Sequence, residues 1–222
     1  MTTQQPHSQL QGSLQFYWYE SHPGEKVSQY WGQLAGSTHR LGFLRDELES
    51  VCKQEDIDLA LSRLEYHTEN YLIRVYELRD RVFSLVSAVT SDGETVKALR
   101  DRKKRSNALR LLQAKASGIG QPLECLLKLL DEDIGLRNFH THETYLKLGC
   151  YIDYDGFEDI FDPHDALIDL KADSQGYKRF EEFLWKEISS LVERYQVKID
   201  TVIETTITLL KEVELVISNG II

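Results

Sequence analysis

Apolar residues recur at steps of three and four positions along much of the chain, which is the pattern of helices with one buried face. The first clear series consists of Ile57, Leu61, Leu64, Tyr71, Val75, Leu78, Val82 and Leu85, with Thr68 in its one gap. A second series consists of Leu184, Ile188, Leu191, Tyr195, Ile199, Val202, Thr206, Leu209, Val213 and Val216. The two series predict two long helices, one from Ile57 and one from about Ser174.

Helix-breaking residues divide the part of the chain between these series. The Ser-Asp-Gly at 91–93 is predicted to end the first helix, and a basic helix is predicted over 95–115. The glycines and proline of 118–122 end that helix, and another can begin at Pro122 because proline is tolerated in a first turn. We expect this next helix to end at the acidic segment 131–135, where a further helix begins.

Together these elements predict an all-α fold, an up-and-down bundle of about four to five main helices over residues 55–222. The acidic segment 153–165 is a loop by composition. The pattern of residues 1–54 does not predict one secondary structure. Residues 14–21 fit a strand or a helix start, and 26–51 is helical but interrupted by glycines. We interpret residues 1–54 as an N-terminal extension packed on the bundle.

The charge and the cysteines limit the function classes. With 36 acidic against 26 basic residues the net charge is −10, which argues against binding of nucleic acid by bulk electrostatics. The chain has neither a signal-peptide pattern nor an apolar run of membrane-spanning length, so we expect a cytoplasmic protein with no membrane contact. Its three cysteines are odd in number and far apart, which favours reduced thiols.

Three segments have the superficial look of metal or cofactor sites. The acidic segment 153–159 has its glycine at the fourth position, whereas a calcium loop needs it at the sixth. His140 and His142 lie two residues apart, so on a helix they point about 200° away from each other. The glycines at 118 and 120 lack the strand of a dinucleotide site. We therefore expect no metal and no cofactor.

A basic run covers residues 100–105. Such a run forms either a solvated helix face or a patch that binds phosphate, and the sequence leaves both open. In the second case Arg102, Lys103 and Lys104 are the candidate residues for substrate binding.

The segment 135–146, GLRNFHTHETYL, places an unusual polar set in a helix. Asn138 and His142 are four residues apart and share a face, which Tyr145 continues. If the helix starts here, Arg137 lies in its first turn and can reach the same face. The sequence leaves three interpretations of this polar set open: a structural polar network, an exposed face and a catalytic site.

The order Arg137-Asn138-x-x-x-His142 resembles the R-N-x-x-x-H motif of the HEPN superfamily, helical-bundle proteins of which many are metal-independent ribonucleases. The resemblance implies that the motif opens a helix late in the bundle. It also implies that the motif faces a polar or acidic residue on an earlier long helix, and 70–86 resembles that helix. Asp80 is the chosen match, and Glu77 is its competitor. Asp80 is preferred because apolar neighbours, Tyr76 and Phe83, flank it at helical spacing.

What the resemblance implies about activity is an endoribonuclease that uses the RNA's own 2′-hydroxyl as nucleophile and leaves a 2′,3′-cyclic phosphate. His142 would move the proton, Arg137 would hold the phosphoryl oxygens, and Asn138 would orient His142 or bind the phosphate. It further implies a homodimer, a toxin, defence or stress role, and an inhibitory partner protein. The alternative is a non-catalytic helical-bundle protein that binds a partner protein.

Overall fold

The predicted all-α fold is confirmed. The computed structural model describes residues 26–90, 93–116, 118–143 and 174–218, with only the backbone at 115, 136–143 and 174. These residues form a packed bundle of α-helices without a strand. The helices are α1 (Lys26–Val51), α2 (Ile57–Thr90), α3 (Gly93–Arg100), α4 (Arg105–Lys115), α5 (Gly120–Glu143) and α6 (Ser174–Ser218).

The two long helices read from the hydrophobic series are present with the predicted starts. Every member of the α2 series is buried, including Thr68, and so is every member of the α6 series except Tyr195, which is half-buried. At the start of α2 the backbone N–H of Leu59 donates to Asp56 Oδ1 at 3.0 Å. Asp56 therefore caps the helix by satisfying one of the N–H groups that lack a partner in the first turn.

The predicted interruption of the helix over 26–51 is wrong, because α1 is continuous. Gly32 and Gly36 each cost a helix about 1 kcal/mol relative to alanine. Trp31 and Leu34 on the same helix are completely buried, and burying one such side chain contributes about 2 kcal/mol. Packing therefore outweighs the local cost. The domain boundary at residue 54 stays a prediction.

The single helix predicted over 95–115 is also wrong, because a turn at 101–104 separates α3 from α4. Within this turn Asp101 Oδ1 accepts a hydrogen bond from the backbone N–H of Lys103 at 2.9 Å. The backbone carbonyl of Asp101 accepts from the N–H of Lys104 at 3.0 Å. An aspartate that bonds the backbone two residues ahead competes with helical hydrogen bonding, which accounts for the break.

The break predicted at 131–135 does not occur, and α5 runs through it. Asp133 and Ile134 are buried there, at 1% and 3% exposure. An acidic segment with one glycine weakens a helix but does not end it when the helix is packed against others. Pro122 falls in the first turn of α5, as its tolerance in that position predicts.

The chain divides into two compact units, which we describe separately. The first unit comprises the described parts of 1–42, 74–134 and 200–222, and includes a hydrogen bond from the Arg81 guanidinium to the backbone oxygen of Gln33 at 3.4 Å. The second comprises the described parts of 43–73 and 135–199. In it the rings of Tyr71 and Tyr195 meet edge to face, with centroids 5.5 Å apart.

Candidate functional site

The motif residues Arg137, Asn138 and His142 lie in the last two turns of α5. Because the backbone is helical through Glu143, positions 138 and 142 keep their four-residue spacing on one helical face. Their side chains fall outside the described part of the structure, and Tyr145 lies outside the described residues altogether.

The expectation that the motif opens a helix is wrong, since α5 begins at Gly120. Position 137 is therefore inside a continuous helix, about 100° around the axis from position 138 and about 140° from position 142. The three residues do not share one narrow face, and only positions 138 and 142 do. The motif does not open a helix because the acidic segment 131–135, the predicted helix end, lies inside α5.

Asp80 lies on α2 and is half-exposed. Its Oδ1 is 3.9 Å from the Arg100 guanidinium of α3, and the two side chains are 46% and 57% exposed. The same guanidinium lies over the ring of Phe83, 5.1 Å from its centroid. The competitor Glu77 instead pairs with Arg74 of its own helix at 3.0 Å. Both carboxylates thus have an arginine partner, and only the pair of Asp80 joins two helices.

The basic run does not act as a uniform patch, because two of its arginines bind Asp131 of α5. Arg105 donates to Asp131 Oδ2 and, through Nε, to the backbone oxygen of Leu99 at 2.8 Å. Arg102 Nε lies 3.5 Å from the same carboxylate oxygen. Arg105 and Asp131 are only 14% and 17% exposed. We call this set, Arg102, Arg105 and Asp131, the arginine clamp.

Lys103 and Lys104 are the exposed cations of the turn. Lys104 Nζ lies 3.7 Å from Asp101, at a position where water screens the pair strongly. Within the described residues Lys103 forms no ion pair. These two lysines are therefore the members of the basic run that are best placed for a phosphate.

The arginine clamp also reduces the negative charge that segment 131–135, which precedes the motif, exposes to solvent. Of its three carboxylates, Asp131 is held by two arginines and Asp133 is buried. Glu132 is exposed. Of these three carboxylates, only that of Glu132 is therefore both exposed and outside the arginine clamp. The arginine clamp could not be predicted from the sequence, because Arg105 and Asp131 are 26 positions apart.

A cleft of about 520 Å³ lies in the first unit between α1, α2 and α3. Its lining residues are Lys26, Tyr30, Phe83, Ser84, Ser87, Ala88, Gly93, Val96 and Arg100. Two cations and three hydroxyl groups beside an apolar wall suit an anionic group attached to an apolar body. This cleft could not be predicted from the sequence, because Lys26 and Tyr30 fall in the segment interpreted as an N-terminal extension.

Three further properties concern the described residues alone. They contain no cluster of three or more histidine, cysteine or acidic residues arranged to hold a metal ion. None of their helices combines the length and apolarity needed to cross a membrane. Cys52 and Cys125 are exposed free thiols.

Comparison of the chain with protein-family models, curated proteins and solved structures gave no match. The resemblance to HEPN proteins therefore depends on the residues of the motif and on the helical fold, and it stays a prediction.

Proposed function

We propose that the chain is a metal-independent endoribonuclease of the HEPN type, with Arg137, Asn138 and His142 at its active site. The observation that supports this most directly is the continuous helix α5, which keeps positions 138 and 142 on one face. A histidine beside a neutral amide can hold one tautomer and act as a base near neutral pH.

The reaction needs no external nucleophile. His142 takes the proton of the 2′-hydroxyl, and the 2′-oxygen attacks the adjacent phosphorus while the bond to the 5′-oxygen breaks. Arg137 binds two phosphoryl oxygens through its planar guanidinium and stabilises the charge that develops on them. The departing 5′-oxygen takes a proton, so the products are a 2′,3′-cyclic phosphate and a 5′-hydroxyl.

One chain supplies one motif, whereas this cleavage uses both a base and an acid. In the proposed homodimer the second motif supplies the acid, with the two motifs near the twofold axis. RNA contacts outside the motif come from Lys103 and Lys104 of the turn. Asp80 is the proposed acidic residue that faces the motif.

The deciding experiment compares the wild type with His142→Ala and Arg137→Lys on an RNA substrate. We expect His142→Ala to abolish cleavage without lowering the melting temperature. We expect Arg137→Lys to cleave RNA poorly, because a lysine ammonium cannot bind two phosphoryl oxygens at once as a guanidinium does. The matched control is His140→Ala, which removes a neighbouring histidine from another helical face and should retain activity.

The chemistry of the products separates this mechanism from metal-dependent hydrolysis. Chelators should leave the rate unchanged, and a substrate with deoxyribose at the cleaved position should resist cleavage because it lacks the nucleophile. Cleavage that requires magnesium, or that leaves a 5′-phosphate, contradicts the proposal.

The proposed toxin, defence or stress role is tested by expression in a host. Expression of the wild type should slow host growth and degrade RNA, whereas expression of Arg137→Ala should not. A second protein that restores growth when it is co-expressed with the wild type would be identified as the inhibitory partner.

The second candidate is a non-catalytic helical protein that binds a partner protein. The arginine clamp favours it, because Arg102, one of the cations expected to bind RNA, and Arg105 of the same basic run are engaged within the chain. In that case Arg137, Asn138 and His142 serve the fold, and His142→Ala lowers stability while no variant changes RNA cleavage. A melting curve measured beside the cleavage assay distinguishes the two candidates.

A further inference from the structure

One face of each of α1, α2 and α3 lines the cleft of the first unit. The lining residues include pairs spaced four apart, Lys26 and Tyr30 on α1, Ser84 and Ala88 on α2, and Val96 and Arg100 on α3. Residues four apart share a helical face. Three helices therefore form the walls of the cleft, and its volume of about 520 Å³ is in the range of small-molecule sites.

Two cations line this cleft. Lys26 is exposed and, within the described residues, forms no ion pair. The Arg100 guanidinium lies over the ring of Phe83, 5.1 Å from its centroid, and 3.9 Å from Asp80 Oδ1. The contact with Asp80 is long and both side chains are about half exposed, so water screens it. Because a guanidinium has several N–H donors, Arg100 can bind a second anion beside Asp80.

Hydroxyl groups supply neutral donors beside the cations. Among the described residues the hydroxyls of Tyr30 and Ser87 form no hydrogen bond, whereas Ser84 Oγ donates to the backbone oxygen of Asp80 at 3.0 Å. Tyr30 and Ser87 can therefore donate to a ligand. Cations together with hydroxyl donors suit an anion with several oxygen atoms.

The floor of the cleft is apolar. Phe83 and Val96 line it and are themselves only 2% and 9% exposed. Carbon atoms of a ligand that lie against this floor are removed from water, which favours binding. An anion that carries a small organic group therefore fits the cleft better than an inorganic ion.

We propose that this cleft binds a small phosphate monoester, with the phosphate between Lys26 and Arg100 and the organic group against Phe83 and Val96. A phosphate monoester has a charge of about −1.5 to −2 at neutral pH and several strong acceptor oxygens. Its charge matches the two cations of the cleft, whereas a carboxylate has a single charge and fewer acceptor oxygens. The inference does not depend on ribonuclease activity.

Calorimetric titration of the full chain with phenyl phosphate tests the class of ligand. We expect a dissociation constant below about 1 mM. Inorganic phosphate lacks the ring, and benzoate has the ring but a single charge, so each should bind at least about tenfold more weakly. No binding of phenyl phosphate at about 1 mM overturns the proposal. Equal affinity for inorganic phosphate or for benzoate also overturns it, because the apolar floor or the second charge then plays no part.

The variants Lys26→Gln and Arg100→Gln test the two cations. Each should weaken binding of phenyl phosphate at least about tenfold, because a hydrogen bond to a charged group is lost. Both side chains are exposed, so the melting temperature should not change. Lys97→Gln is the matched control, since Lys97 lies on α3, pairs with Glu94 at 2.6 Å and does not line the cleft. If the control weakens binding equally, the charge of the whole surface and not the cleft binds the phosphate, and the proposal is wrong.

Asp80→Asn should have the opposite effect on binding. It removes the carboxylate that competes for Arg100, so the affinity for phenyl phosphate should rise by about two- to fivefold, the size expected for release of an exposed ion pair. Glu77→Gln removes a carboxylate from the same helix that pairs with Arg74 instead, and it should leave the affinity unchanged. An affinity that does not rise in Asp80→Asn, or that rises equally in Glu77→Gln, contradicts the proposed contact between the phosphate and Arg100.

Discussion

Asp131 holds the turn between α3 and α4 against α5, because both Arg105 and Arg102 bind its carboxylate. Asp131→Ala leaves the largely buried guanidinium of Arg105 without this partner. We expect the free energy of unfolding to fall by about 2 kcal/mol, since the cost of an unpaired charge grows with its burial. Denaturant titration measures the change.

The matched control is Glu132→Ala, the neighbouring exposed carboxylate on the same helix. It removes the same charge from the same helix but has no arginine partner to lose, so its effect should stay within about 0.5 kcal/mol. Equal effects of the two substitutions would mean that the charge of α5, and not the arginine clamp, determines stability there.

His67 links stability to pH through its burial. Only 8% of its surface is exposed, and burial lowers the pKa of its imidazole, with Glu47 opposing the shift and Arg63 adding to it. Below about pH 6.5 the unfolded chain takes up a proton that the folded chain refuses, so acid destabilises the fold. The loss ends once the pH falls below the folded pKa.

The corresponding test compares unfolding of the wild type and His67→Gln between pH 8 and pH 5.5. We expect the stability of the wild type relative to the variant to decrease as the pH falls through 6.5. A difference that stays constant over this range would show that His67 is not a source of the pH dependence.

Asp80 and Glu77 differ in their ion-pair partners. Because Asp80 joins α2 to Arg100 of α3 while Glu77 pairs within α2, we expect Asp80→Asn to reduce RNA cleavage more than Glu77→Gln. A tenfold loss corresponds to ~1.4 kcal/mol of activation free energy. The reverse order of effects assigns the role to Glu77, and no effect from either removes α2 from the site.

At the scale of the elements, the start of α2 depends on Asp56. Asp56→Ala removes the acceptor of the Leu59 N–H, and we expect a loss of about 1 kcal/mol in the free energy of unfolding. Asp56→Ser keeps a capping oxygen and is the control. If both variants lose the same stability, the negative charge at the helix start and not the cap is responsible.

The turn between α3 and α4 combines structural and exposed cations. Replacing Lys103 and Lys104 by glutamine should reduce the magnitude of the negative slope of the logarithm of the RNA binding constant against the logarithm of salt concentration by about 2, without changing stability. Arg102→Gln should in addition lower stability, because Arg102 lies beside Asp131. An unchanged salt slope would leave the turn as a solvated surface.

At the scale of the whole molecule, the proposed chemistry requires two motifs in one assembly. Cleavage per chain should therefore fall when the protein is diluted below its dimer dissociation constant. A structure of the catalytic dimer should show Arg137 and His142 of both subunits lining one cleft. Full activity in a monomer contradicts this prediction.

The sequence by itself determined the helices whose burial is one-sided and local. The series on α2 and α6 predicted their starts and their buried residues, because a helix that packs along one face must repeat every three to four positions. The four-residue relation of Asn138 and His142 was predictable for the same reason, since it needs only that the backbone be helical.

Only the tertiary structure decided where weak local signals give way to packing. Gly32 and Gly36 do not interrupt α1 and the acidic segment 131–135 does not end α5, because burial of neighbouring side chains outweighs their local costs. The arginine clamp joins residues 26 positions apart, a distance over which no periodicity carries information. Long-range contacts of this kind determine which charges are free for a ligand, and the fold had to be known before they could be assigned.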